Sequence, residues 1–276
     1  MKLMECLIRR WKGTVDNMKK LALFNQKGGC AKTTSVVNIA GYMAKMGRKV
    51  LVVDCDPQAN ATQFLLMENE PVADTIVSAI SGEKDLKEVI VPALIRTRGN
   101  AKPKYLGIDV IPAERSMAVA ELADEYVLKK LLEHIEDQYD YVIFDCPPYL
   151  GEFTVNILAA TDKVLVPATV DKDALEGYAE LIDTINMLKI NGVNPDLSVL
   201  GVYLTIYNDR ESFDRYMAGE CAETFGDTYI DIPIRRHTYA KQSALFGRPL
   251  CWYKPTSRIA NDYEALTTEI MNRMEA

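Results

Sequence analysis

Apolar residues along this chain gather in short unbroken runs, and between the runs they recur at helical spacing. Residues 21–24, the KVLVVD run over 49–54, the YVIFD run ending at Asp145, the KVLVPA run ending at Ala168 and the VLGVYLTIY run ending at Tyr207 are continuous enough to be strands buried on both faces. Over 35–46, Val36, Ile39, Ala40 and Met43 repeat with a helix period, and Gly47 then stops it. Continuous strands alternating with helices predict an α/β fold: a doubly wound, mostly parallel sheet with helices on both faces, whose ligands bind at the carboxyl ends of the strands. The stretch 69–105 has mixed charge, the segment RTRGNAKPK and no firm period. It reads as a short helix plus a surface loop.

Composition narrows this picture. With 276 residues, 48% of them hydrophobic and 26% charged, the chain can bury a full core, and one large domain is expected. The six cysteines (Cys6, Cys30, Cys55, Cys146, Cys221 and Cys251) form no CxxC pair, so neither a zinc site nor a disulfide framework is indicated and a reducing cytosol fits. No apolar run reaches the ~18 residues of a membrane span, and the N-terminus lacks the order of a signal peptide, so a cytoplasmic location is expected. Charge is unevenly spread. Residues 235–258 hold six Lys/Arg and no acid, so against a net charge of −7 the rest of the chain stands at −13. A basic patch near the C-terminus is the expectation.

The chemistry begins after the first apolar run, with NQKGGCAKTTS over 25–35. Paired glycines let a backbone approach phosphate oxygens, a lysine just beyond can reach the β- and γ-phosphates, and the next hydroxyl, Thr33, can ligate Mg2+. The pattern GxxxxGK[ST] is not met, because Gln26 and Ala31 stand where its glycines belong. The match is to the deviant box KGGxxKT[ST], which opens on a second lysine, Lys27. The second strand then ends in DCDPQANAT (54–62), and YVIFDCPP delivers Asp145 at another strand end. The set KGGxxKTT, DxDPQxNxT and hhhhDxPP, in that order, resembles the ParA/Soj branch of the deviant Walker ATPases. The likeness continues through LEG at 175–177, GVYLTIYNDR at 201–210, IP at 232–233 and GRP at 247–249, and so covers nearly the whole chain beyond Met18.

That resemblance implies ATP and Mg2+ as cofactors and a slow, Mg-dependent hydrolase stimulated by DNA and a partner. Lys32 would hold the β- and γ-phosphates, Thr33 would bind Mg2+, and Asp145 would steady the ion through a water. Gly28, Gly29, Cys30, Ala31 and Thr34 would line the phosphates. Lys27 would be the signature lysine that reaches the other subunit's nucleotide in an ATP-bound homodimer. Asp56 would orient the attacking water within the Mg2+ shell, with Asp54 behind it. Asp171 matches an acid near the dimer seam, and a helix cap would equally use a carboxylate there. Tyr207, Asn208 and Pro233 fall where the family encloses adenine. The ATP-bound dimer would bind double-stranded DNA without sequence preference through Arg210, Arg235, Arg236 and Lys241, lie on the nucleoid, and release on contact with a ParB-like centromere-binding protein.

Two departures stand out. Ala31 replaces a glycine, which costs energy if that position needs positive φ, and IPIRRHTYAKQSALFGRP replaces the usual C-terminal pattern. Residues 1–18 are expected to be an extension to a single domain over 19–276. Leu3, Leu7, Ile8 and Trp11 beside Arg9, Arg10 and Lys12 suit a membrane or partner tail, and initiation at Met18 explains the segment equally. A MinD-like ATPase cycling on a membrane would want a basic amphipathic C-terminus, whereas NDYEALTTEIMNRMEA has four acids against one Arg. No stable membrane association is expected. The cysteines inside the three nucleotide motifs, Cys30, Cys55 and Cys146, read as small apolar side chains before they read as redox switches.

Overall fold

The computed structural model describes residues 18–67, 69, 71–95, 103–171 and 173–276. Eight strands form one sheet in the order β3-β4-β2-β5-β1-β6-β7-β8. They are β1 (Lys19–Leu23), β2 (Val50–Asp54), β3 (Val91–Ile95), β4 (Lys104–Ile111), β5 (Tyr141–Asp145), β6 (Lys163–Thr169), β7 (Ser198–Tyr207) and β8 (Ile234–Arg235). All neighbours pair in parallel except β3, which runs antiparallel to β4. The unbroken apolar runs have the expected cause. Ala22, Phe24, Leu51, Val53, Val142 and Phe144 enter one core layer, while Leu21, Leu23, Val50, Val52, Tyr141 and Ile143 enter the other.

Helices cover both layers. Helix α1 (Lys32–Lys45) follows β1 and buries Val36, Val37, Ile39, Ala40 and Met43 in the second layer. The short helices α2 (Asn60–Leu65), α3 (Ile76–Ile80), α4 (Leu86–Val89) and α5 (Val127–Glu133) are followed by α6 (Glu152–Ala160) and α7 (Asp173–Ile190), which close the first layer through Ile157, Leu158, Leu181 and Ile185. After β7 come α8 (Ser212–Phe225), α9 (Thr238–Leu245), α10 (Leu250–Tyr253) and α11 (Arg258–Glu275). The last of these turns Ile259, Ala260, Tyr263, Leu266 and Ile270 into the core beside α1.

Two expectations need correction. Helix α1 begins at Lys32, three residues earlier than the apolar period shows, because the glycine loop runs straight into its first turn. The stretch 69–105 is more structured than one helix and a loop: it holds α3, α4, all of β3 and the start of β4. Part of its RTRGNAKPK segment lies outside the described residues, as do the N-terminal apolar and basic residues and the side chains of the LEG segment before Gly177.

Candidate functional site

Strand register brings the three motifs to one edge. Leu23 pairs with Asp145 and Asp54 pairs with Asp145, so the loop after β1 and the two carboxylates leave the sheet at the same level. The loop is shaped by two left-handed residues, Gly29 at φ 77° and Ala31 at φ 64°. A Cβ built on Gly28 or Gly29 meets no atom within 4 Å, so both face open space. Ala31 is the N-cap of α1 and offers no side-chain acceptor to its first turn, which also carries no acid. The leading amides of α1 are thereby left for an anion.

Lys32 folds back over this loop. It is 8% exposed, and its Nζ donates to the Asn25 carbonyl at 2.8 Å and the Lys27 carbonyl at 3.1 Å. Lys27 takes a different direction: its amide donates to Asn25 Oδ1 at 2.9 Å, while its Nζ lies 2.6 Å from Asp171 Oδ2. The Thr169 hydroxyl donates to the same oxygen at 2.7 Å. Within one chain Asp171 is thus an ion-pair partner of Lys27. Thr205 ties the loop to β7, its hydroxyl lying 3.0 Å from the Cys30 carbonyl.

The carboxylates differ in their support. Asp54 is fully buried and accepts from the Thr62 amide at 2.8 Å, the Thr62 hydroxyl at 2.7 Å and the Asp56 amide at 3.2 Å. Burial still pushes its carboxyl up to about 6, against the pull of those bonds. Asp145 is 1% exposed and neither of its oxygens completes a hydrogen bond, although the nearby Thr33 hydroxyl partly offsets the upward pull on its pKa. Burial first, and then the Asp54 charge, hold it well above the ordinary carboxylate range. Asp56 is half-buried and accepts from the Gln58 amide at 2.9 Å. Cys30, Cys55 and Cys146 are buried and burial raises each thiol, as suits small apolar side chains.

Tyr207 ends β7 with Asn208 just after it, while Pro233 immediately precedes the neighbouring strand β8. Tyr207 pairs with Arg235, and the Tyr207 carbonyl accepts from the Arg236 amide at 2.8 Å. Arg210, Arg236 and Lys241 are exposed. Arg235 is not free in the same way. It is half-buried and paired with Asp262 and Asp209, which corrects the picture of an uncompensated basic run. Sequence reasoning also left Asn25, Thr62 and Thr205 without roles, although all three stand inside the quoted motifs.

Residues 18–199 match a family model described as an AAA domain. The chain is 34% identical over 259 residues to the chromosome partitioning protein ParA of Myxococcus xanthus, covering 92% of this chain and 88% of that one. It is also 34% identical over 258 residues to the sporulation initiation inhibitor protein Soj of Bacillus subtilis, covering 91% and 98%. The chain belongs to the ParA/Soj family of partition ATPases. Among solved structures, cobyrinic acid a,c-diamide synthase from Mycobacterium smegmatis, with bound ADP and magnesium, superposes with a TM-score of 0.75 at 28% identity, covering 94% of this chain and 96% of that one.

As a ParA/Soj-family P-loop protein the chain is an ATP hydrolase that uses ATP and Mg2+, and its residues fit both. The glycine pair opens on free space, the first turn of α1 is uncapped, and Lys32 supplies a buried cation beside them. A fully buried carboxylate without a hydrogen bond, next to a threonine hydroxyl, suits a divalent ion reached directly or through water. Among the described residues no three His, Cys, Asp or Glu side chains converge on a metal cage. Bound Mg2+ would supply charge to offset the phosphates, and Thr33 and Asp145 would hold it.

Proposed function

We propose that this chain is a dimerising, ATP-gated partition ATPase of the cytoplasm. It binds double-stranded DNA without sequence preference and, with a ParB-like centromere-binding partner, segregates or positions a plasmid, a chromosome or other mobile DNA. Residues 19–276 act as its single domain and 1–18 as an extension. The observation that carries this reading is the division between two lysines of one loop. Lys32 is buried against carbonyls of its own loop, whereas Lys27 stands at the rim with its side chain 31% exposed and paired to Asp171. A rim lysine in an ion pair can exchange a carboxylate for a phosphate of a second subunit.

In this reading Lys32 grips the β- and γ-phosphates, and Gly28, Gly29, Cys30, Ala31 and Thr34 line them. Thr33 and Asp145 hold Mg2+, Asp56 orients the attacking water, and Tyr207, Asn208 and Pro233 enclose adenine. DNA phosphates meet Arg210, Arg236 and Lys241, which are exposed on or beside the β7–β8 edge, and Arg235 joins them only once released from its acids. A membrane-cycling role finds less support. No helix among the described residues is long and apolar enough to cross a membrane, and the apolar face of α11 is spent on the core.

Light scattering with and without Mg-ATP, paired with nucleotide binding, tests the reading. The expected outcome is a dimer in Mg-ATP for the natural chain, ATP binding without dimerisation for Lys27→Ala, and loss of nucleotide for Lys32→Ala. A Lys27→Ala dimer in Mg-ATP would remove the bridging role.

A further inference from the structure

Asp209 stands between Asn208 and Arg210 in the turn that leaves β7, and its bonds run away from that turn. Its Oδ2 lies 2.9 Å from Arg258 Nη2 and 3.5 Å from Arg235 Nε, while its carbonyl accepts from Arg215 Nη1 at 2.8 Å. Arg235 is held a second time by Asp262 of α11, which pairs with its guanidinium and accepts its amide at 3.2 Å. Two cations of the acid-free run 235–258 are therefore neutralised by acids from elsewhere in the chain, one of them in the turn beside the adenine edge.

This pairing is poised to be exchanged. The Arg258 side chain is 62% exposed, and an ion pair so open to water adds little to stability. Arg235 Nε is buried and completes no hydrogen bond, so that side of the cluster is incompletely satisfied. The turn itself is strained at its root: Ile206, a β-branched residue, sits at φ 58°, where the β7–β8 register slips between Thr205 and Tyr207. Strain of this kind persists where the surroundings over-determine it, and it clusters at active sites, ligand clamps and switch regions.

We propose that Asp209 is a positioning residue for DNA binding. It withholds Arg258 from phosphate in the nucleotide-free chain, and rearrangement of the turn when a base docks beside Asn208 releases it, while Arg235 stays with Asp262. This rests on the reading of the β7–β8 edge as a DNA surface. Nucleotide occupancy would thereby set how many cations the surface presents, in addition to whether the chain dimerises.

The test is binding of the full chain to a random-sequence duplex across a salt series, with and without Mg-ATP. Asp209→Asn keeps the shape of the side chain and removes its charge. It is expected to raise nucleotide-free affinity about tenfold and to steepen the log–log salt slope by roughly 0.9, one arginine being released. Adding Arg258→Ala to Asp209→Asn should take back one such step. Asp231→Asn, at an exposed acid just before β8, should change neither the slope nor the nucleotide dependence. If the natural chain binds duplex in neither state, the DNA reading falls and this inference with it. If the natural chain binds with Mg-ATP while nucleotide-free Asp209→Asn matches the natural chain, or matches Asp231→Asn, the gating role alone is overturned. Should Asp209→Asn melt early, Arg258→Gln replaces it: the slope in Mg-ATP should fall by about 0.9, and an unchanged slope overturns the inference.

Discussion

Ala31 is a residue asked to do a glycine's work. Its left-handed backbone at φ 64° costs a Cβ-bearing residue about 1–2 kcal/mol, whereas a glycine would give back about 0.5–1 kcal/mol through the freedom it adds to the unfolded chain. The first quantity is the larger, so Ala31→Gly is expected to raise the melting temperature by roughly 1–4 °C. Ala31→Val should lower it, because β-branching crowds the same conformation. Calorimetry decides, and a lower melting temperature for the glycine variant would show that the loop is not strained there. Asp145 presents the opposite problem, a charge buried for a ligand. In the folded chain burial raises the Asp54 carboxyl to about 6 and holds Asp145 above the ordinary range, so both bind protons more tightly than in the unfolded chain. Stability of the ligand-free protein should therefore fall as pH rises from about 4 through the raised folded values, and return on acidification. Asp145→Asn is expected to stabilise the ligand-free protein near pH 7.5, by a margin that shrinks towards pH 5, and to weaken Mg-dependent ATP binding. Urea melts at several pH values measure that margin, and one that stays constant with pH would contradict the account.

Between elements, the contact that fixes the phosphate loop is the packing of α1 against α10 and α11. Gly41 lies in the middle of α1, where glycine costs about 1 kcal/mol relative to alanine. A Cβ there would come within 2.9 Å of Pro249 Cβ, 3.0 Å of Cys251 Sγ and 3.1 Å of Trp252 Cζ3. Overpacking of this kind costs about 1–3 kcal/mol, more than the helix propensity gained, so Gly41→Ala is expected to lower the urea midpoint and to loosen nucleotide binding through the displaced α1. A higher midpoint would mean that α10 gives way without cost. Elements of this kind were legible in the sequence to different depths. The central strands could be read because both of their faces are buried. β3 could not, since it is an edge strand with one partner, a proline at position 92 and a bulge, and α3 and α4 have too few turns to show a period. The site divides the same way. Its glycine loop and aspartates are local motifs, but Lys27 meets Asp171 from 144 positions away, and Thr205 reaches the Cys30 carbonyl across 175. The basic run looked uncompensated for the same reason, because Asp209 and Asp262 are brought to Arg235 by the fold.

For the molecule as a whole, the proposed cycle requires the carboxyl edge of the sheet to convert hydrolysis into release, and in that proposal Asp56 would set the timing. It stands two residues beyond β2, half-buried, with one oxygen accepting the Gln58 amide at 2.9 Å. Its charge also acts on Asp54 and Asp145 and on Tyr149, so the loops after β2 and β5 share its field. A carboxylate so placed repels phosphate and is a poor ligand for it, yet it can align a water, which phosphoryl transfer needs more than it needs covalent help. Asp56→Ala loses one turn hydrogen bond, worth about 0.5–1.5 kcal/mol, and should remain folded. It should bind Mg-ATP at least as well as the natural chain, since a negative charge beside the phosphates is gone. Single-turnover hydrolysis is expected to slow by about a hundredfold or more, the usual scale for a positioned base. If ATP gates DNA binding as proposed, the variant should then stay on DNA after free nucleotide is diluted away, while the natural chain dissociates. Normal turnover by Asp56→Ala would assign the water to another group. Lost ATP binding would make Asp56 a structural residue of its turn, and the long DNA residence would disappear with it.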